Sequence, residues 1–159
     1  ERQPNLLSEK DWEANEPHLL AAFHGQLEIL KWLLDEKDCS LDSTNKYGGD
    51  IMFMAASGGH VKIIKYLEEE KNRSLHVRAG NGATILMETA YEGNIEAMRY
   101  LYGRGLSVHE RTNTQATCIT VAAAQGQVES VRCLLEFNCD ILAKDSFGFN
   151  GFDIAVREG

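Results

Sequence analysis

A glycine recurs along this chain at nearly constant intervals, and two small residues precede it in almost every case. The spacings between successive members are 34, 34, 33 and 33 residues. The five glycines are Gly25, Gly59, Gly93, Gly126 and Gly159. Such a period is the signature of stacked supersecondary units, each of which buries its apolar face against its neighbours. The sequence therefore predicts a repeat array.

Each unit predicts two helices joined by a tight turn. A short apolar run with small residues, such as Ala55 and Ala56, lies before the glycine. After it, apolar residues recur at helical spacing, as Leu27, Leu30 and Leu34 do in the first unit. The glycine is needed where the chain reverses sharply, because a Cβ there would clash or strain the backbone.

The expected helix ends carry the appropriate capping residues. Side chains that accept hydrogen bonds from free backbone N–H groups stand before the first helices of the later units. They are Asp50, Thr84, Thr117 and Asn150. Glu16 is the poorer equivalent in the first unit. Gly105 and Asn138 stand where the second helices of the 33-residue units must end. In the 34-residue units that place is near Lys37 and Lys71, and we expect a longer turn of different construction there.

Four polar connectors of ten residues join the helix pairs and align with one another. They read LDSTNKYGGD, LHVRAGNGAT, VHERTNTQAT and ILAKDSFGFN. Their turn-forming residues are Gly48, Gly82, Asn113 and Gly148. We expect these segments, here called the fingers, to project from the stack as hairpin-like loops.

With its 33-residue period, its Ala-Ala-x-x-Gly core and its fingers, the sequence resembles the ankyrin repeat family from about Asp11 to Gly159. The resemblance implies an all-α ankyrin-repeat solenoid of helix-turn-helix units joined by β-hairpin-like fingers. We expect residues 1–159 to form a single domain. Its repeats would span approximately 11–44, 45–78, 79–111 and 112–144, with a partial fifth at 145–159.

The sequence departs from the family at the start of the first helices. The Thr-Pro-Leu-His opening of the family is replaced by DIMF, TILM, TCIT and NGFD, without the proline and the network-forming histidine. We therefore expect fewer hydrogen bonds between repeats and a lower stability than a consensus array has. The chain begins without Met and stops at a turn glycine, so we expect it to be one segment of a longer protein.

Charge and cysteine content exclude several classes of function. The chain has 24 acidic and 16 basic residues, a net charge of −8, which argues against binding nucleic acid. No apolar stretch reaches the roughly 20 residues that a membrane-spanning helix needs, so no direct membrane insertion is expected. The four cysteines are too few and scattered for a disulfide framework. These features favour an intracellular, cytoplasmic chain, and we expect a monomer.

Catalytic and metal-binding patterns are weak. The cysteines Cys39, Cys118, Cys133 and Cys139 lack ligand spacing. His76 and His109 occupy equivalent finger positions, where solvated loop residues are favoured over a pH sensor or a ligand pair. We therefore expect no enzyme activity, no metal and no cofactor, and a zinc or nucleotide enzyme is the least favoured alternative.

In the ankyrin family partners usually dock on the concave face, which the fingers and first helices form. The resemblance therefore implies a protein-protein interaction module that binds a protein or peptide partner there. Positions with no expected role in the core are the candidate contacts. They are Phe23, His24, Lys46, Tyr47, Arg78, Asn81, Tyr91, Glu92, Arg111, Asn113, Lys144, Phe147 and Phe149.

The types of these residues suggest what the partner offers. Arg78, Arg111 and Lys144 share one finger slot and would form a basic ladder, which predicts a partner with acidic and apolar residues. We expect alanine at Arg78 and Arg111 to weaken binding and leave thermal stability nearly unchanged. Phe147 and Phe149 could instead cover an exposed end of the stack. The competing function is a regulatory ankyrin domain of a larger enzyme or channel, making intramolecular contacts.

Overall fold

The computed structural model describes residues 10–158, which form four pairs of short helices and a ninth helix. The helices are α1 (Pro17–Phe23), α2 (Leu27–Asp35), α3 (Ile51–Ser57), α4 (Val61–Lys65), α5 (Ile85–Glu92), α6 (Ile95–Gly103), α7 (Cys118–Ala124), α8 (Val128–Glu136) and α9 (Gly151–Glu158). A π-helical turn, Tyr66–Glu70, extends α4. No helix in this part of the chain is long and apolar enough to cross a bilayer. The expected all-α solenoid is confirmed.

The first helices α1, α3, α5, α7 and α9 pack side by side in one row, and the second helices pack behind them. Small residues on the first helices allow this close approach, and Ala22, Ala56, Ala90 and Ala122 are all completely buried. Each repeat thus buries apolar surface against its neighbours as well as between its own two helices.

The turn glycines adopt the left-handed conformation that the sequence predicts. Their φ angles are 74° at Gly25, 74° at Gly59, 82° at Gly93 and 66° at Gly126. Gly159 lies outside the described residues. The helix starts are confirmed as well: Asp50 accepts a hydrogen bond of 2.9 Å from the Phe53 amide, for example, whereas Glu16 makes no side-chain cap. Thr84, Thr117 and Asn150 also cap their helices.

The extra residue of the 34-residue units lies in a longer turn after the second helix, as predicted. In a 33-residue unit the amide of Leu106 donates to the carbonyl of Leu101, five residues back (3.2 Å). In a 34-residue unit the amide of Arg73 donates to Leu67, six residues back (2.9 Å). Asn72, with φ 52°, is the left-handed residue of this turn.

The fingers are tight turns, with a single isolated bridge between Arg78 and Thr84 in the described part of the chain. Gly48, Gly82 and Gly148 have left-handed backbones, as their turn chemistry requires. In the third finger Asn113 lies in the turn, as predicted, and the left-handed residue is Gln115 (φ 61°), which stands where the other fingers have glycine. The fingers also align in the structure: four amides, of Lys46, Gly80, Asn113 and Ser146, each donate to a carbonyl of the preceding finger or connector.

Other side chains make hydrogen bonds between repeats in this chain, which lacks the network-forming histidine of the family's Thr-Pro-Leu-His opening. Nε2 of His60 lies 2.9 Å from the carbonyl oxygen of Phe23, and Nδ2 of Asn94 donates to Ser57 at 2.7 Å. Both side chains follow a turn glycine, so one sequence position supplies the bond in two successive repeats. His60 therefore has a structural role between the first two repeats.

Tyrosine hydroxyls join the second helices of successive repeats. The Tyr66 hydroxyl donates to Asp35 (3.4 Å), and the Tyr100 hydroxyl donates to Glu68 (2.7 Å), which also binds Arg104. Burial, with the Glu68 carboxylate, raises the pKa of Tyr100 to about 12. Asp35 and Glu68, two acidic side chains of the second-helix row, are thus bonded to residues of the following repeat.

Candidate functional site

A groove of about 710 Å³ runs between the fingers and the first helices of the first three repeats, and we call it the finger groove. Its lining residues are Glu13, Phe23, Asn45, Lys46, Tyr47, Gly49, Phe53, Met54, Ser57, Ala79, Gly80, Asn81, Glu88, Tyr91 and Glu92. Residues far apart in sequence meet here because the repeats superpose their fingers. A concave site with aromatic walls and a few polar groups is the usual form of a binding site.

The finger groove brings together six of the thirteen predicted contacts. They are Phe23, Lys46, Tyr47, Asn81, Tyr91 and Glu92. Tyr47 and Tyr91 are 56% and 40% exposed, so both rings are available to a partner without repacking of the core. Exposed aromatic rings of this kind dominate binding energy in protein interfaces.

Local hydrogen bonds fix the finger residues of the groove. Oδ1 of Asn45 accepts from the amides of Tyr47 (3.0 Å) and Gly49 (2.9 Å), which holds the first finger in a tight turn. Asn81 accepts from the amide of Ala83 (2.9 Å) in the second finger. The site is therefore largely formed before any partner binds.

One end of the groove already holds a cation. The ammonium of Lys46 lies 4.0 Å from the ring centroid of Trp12 and 4.8 Å from that of Tyr47. It also lies 4.0 Å from Oε1 of Glu13, to which the Tyr47 hydroxyl donates at 3.3 Å. Two rings and a carboxylate thus surround the charge of Lys46.

The wall contributed by α5 carries two carboxylates one helical turn apart. Glu88 is half-buried, and this burial raises the pKa of its carboxyl group. The Ser57 hydroxyl, which donates to Glu88 at 2.8 Å, lowers that pKa, whereas the negative charge of Glu92 raises it further. Partial burial also raises the pKa of Glu92. Within the described residues no basic side chain forms an ion pair with either glutamate. This wall of the groove is acidic.

Sequence reasoning missed Glu13, Phe53, Met54 and Glu88 among the residues that line the groove. A signal for Glu88 was present, because it lies four residues before Glu92 and therefore on the same face of α5. Glu13 gave no such signal, since it precedes the first helix and reaches the site only through the packing of the first finger.

The two finger arginines stabilise the stack, which corrects the expectation that they have no structural role. Nη1 of Arg78 donates to the carbonyls of Gly82 (2.7 Å) and Arg111 (3.3 Å), and Nη2 pairs with Glu110. Nη1 of Arg111 donates to Gln115 (2.9 Å) and to Lys144 (2.8 Å) in the next finger. Their replacement by alanine is expected to lower stability.

The arginines also lie apart from the groove. Arg78 lines a small cavity of about 120 Å³ with His76 and Glu110, and Arg111 lines another of about 90 Å³ with His109. The groove itself presents three carboxylates and one ammonium. The predicted basic ladder of Arg78, Arg111 and Lys144 therefore does not line this groove.

The other predicted contacts are scattered. His24 and Lys144 are exposed outside the lining, and Asn113 donates to the carbonyl of Gly80 at 3.2 Å. Phe147 is 73% exposed, and the guanidinium of Arg157 lies 5.6 Å from the ring of Phe149. Phe147 and Phe149 do not line the finger groove.

The reactive side chains are dispersed. No group of three or more His, Cys, Asp or Glu residues in 10–158 is arranged to hold a metal ion. Burial raises the pKa of the Cys118, Cys133 and Cys139 thiols, which disfavours the nucleophilic thiolate. Neither a histidine nor a cysteine lines the finger groove.

The sequence profile described as ankyrin repeats (3 copies) matches residues 18–112 and 69–145. The chain belongs to the ankyrin repeat family. A search of curated proteins gave no match. Ankyrin repeat domains are generally protein-protein interaction modules and typically have no catalytic activity of their own. In this ankyrin domain the finger groove combines exposed aromatic residues with pre-formed finger geometry.

Proposed function

We propose that this ankyrin domain is a non-catalytic interaction module that binds a segment of a partner protein in the finger groove. The observation that carries the proposal is the convergence of Phe23, Tyr47 and Tyr91 on one groove of about 710 Å³. Burying such rings releases water at a small cost in side-chain entropy, so they are effective anchors.

The shape of the groove favours a peptide segment. Its lining comes from three successive repeats, so an extended chain lying across the first helices touches all of them at once. The backbone amides of residues 45–49 in the first finger all donate to groups of their own finger or of the segment before α1. Affinity would therefore come mainly from side-chain contacts.

Selection from a displayed library of random peptides tests this proposal. We expect binders whose affinity falls at least tenfold when Tyr47 and Tyr91 are both replaced by alanine. Phe147→Ala is the matched control, because it removes an exposed aromatic ring outside the groove. Hydrogen exchange of the complex should show protection in α3 and α5. Binders that are unaffected by the double replacement, or an absence of binders, would contradict the proposal.

A further inference from the structure

The finger groove has unpaired negative charge at a defined place. Glu13, at the rim, is already matched by Lys46 and by the hydroxyl of Tyr47. Glu88 and Glu92 have no such cation among the residues that the structure describes. A positive group delivered by a partner would relieve the repulsion between these two carboxylates and the cost of their burial.

Aromatic rings beside the carboxylates favour a basic side chain over a small inorganic cation. Tyr91 follows Glu88 by three residues on α5, so its exposed ring flanks the acidic pair. A lysine or arginine can place its aliphatic stem on such a ring while its charged head meets the carboxylates. The rim of the same groove shows this chemistry within the chain, since Lys46 lies against Trp12 and Tyr47 beside a carboxylate.

The groove continues beyond the acidic pair. A second cavity of about 260 Å³ shares Asn81, Glu88 and Tyr91 with the finger groove and reaches Val121 on α7. Together the two cavities cross α1, α3, α5 and α7. Three helix spacings of roughly 8–10 Å give roughly 24–30 Å, which about eight extended residues span.

We propose that the groove binds an extended basic-apolar segment of a partner protein, with one lysine or arginine side chain between Glu88 and Glu92. Apolar residues of the segment contact Phe23 and Tyr47 on one side of this cation and Val121 on the other. This inference rests on the proposed function and specifies the chemistry of the partner.

The test uses peptides selected from the random library by the whole chain. Selected sequences should carry Lys or Arg at one shared position, and glutamine at that position should weaken binding at least tenfold. The double variant Glu88→Gln, Glu92→Gln should lose affinity to a similar extent. When the substituted peptide is measured against the double variant, affinity should fall little further than with either change alone, because both changes remove the same contact.

Glu96→Gln is the matched control, because Glu96 is an exposed acid on α6 outside the groove and its loss should change affinity less than twofold. The glutamine at position 88 can still accept the Ser57 hydroxyl, so the fold is expected to persist, and circular dichroism checks this. Fluorescence anisotropy titrations of a labelled selected peptide should show that the unsubstituted chain binds it more weakly at high salt than at low salt.

The outcomes separate the two proposals. Peptides that need Tyr47 and Tyr91 but bind the double glutamine variant equally well would overturn the basic-segment assignment and leave the groove function standing. Enrichment of acidic or purely apolar peptides would do the same. A library without groove-dependent binders would overturn both.

Discussion

Arg111 provides a direct test of how the fingers are held together. Its Nη1 group donates to the carbonyl of Gln115 in its own finger (2.9 Å) and to that of Lys144 in the next (2.8 Å). The variant Arg111→Met keeps most of the aliphatic stem and removes both bonds. Any loss of stability then reports the bonds rather than the packing of the stem.

The size of the effect follows from the number and exposure of these bonds. A net hydrogen bond contributes about 0.5–1.5 kcal/mol, and water at this exposed site will partly replace the lost donor. Two bonds therefore give an expected loss of about 1–2 kcal/mol in the free energy of unfolding. For a chain of this length that is a fall in Tm of roughly 2–8 °C.

Thermal and urea unfolding, followed by circular dichroism, measures this loss. Lys144→Met is the matched control, because Lys144 occupies the same slot in the next finger and its ammonium makes no hydrogen bond within residues 10–158. Hydrogen exchange at the Ser146 amide, which donates to Thr114, reports the finger contact locally. If both variants lose the same stability, or neither loses any, the assignment of Arg111 as a link between repeats is refuted.

Three further predictions concern stability. Burial lowers the pKa of His18, so the unfolded chain binds the proton more tightly, and stability should fall as the pH drops below about 6.5. The fall in Tm between about pH 7 and about pH 5 should therefore be smaller in His18→Gln. Gln115→Gly should stabilise the chain by roughly 0.5–1 kcal/mol in urea unfolding, because Gln115 has φ 61° where other fingers have glycine. Gly58→Ala should cost about 2 kcal/mol or more, since its Cβ would lie 2.1 Å from the Phe23 carbonyl oxygen. Gly103→Ala, with nothing within 4 Å of its Cβ, should be neutral or stabilising in the same assay.

Most of the local architecture was predictable because it depends on requirements within one repeat. The left-handed turn at Gly59 and the cap at Asp50 each follow from the conformational or hydrogen-bonding needs of a few adjacent residues. The third finger follows the same alignment. Asn113 lies in its turn, and Gln115 takes the left-handed conformation at the position that glycine holds in the other three fingers.

The candidate site was predictable only in part. Tyr47 and Tyr91 were found because the period assigns them to positions outside the core, and the structure places both in the finger groove. The role of Arg78 was missed because its partner Glu110 lies 32 residues away. Neither residue carries a local mark of this pairing, which depends on how one finger overlies the next.

The sequence by itself determined the period, the helices, the turns and the membership of the ankyrin repeat family, since these depend on local geometry repeated in phase. The tertiary structure decided which surface residues meet. It directed Arg78 and Arg111 to backbone carbonyls and left Glu88 and Glu92 facing the groove. The physical reason is that the net charge a surface presents to a partner depends on which of its charged side chains are already paired within the chain. Pairing between repeats depends in turn on how the repeats pack.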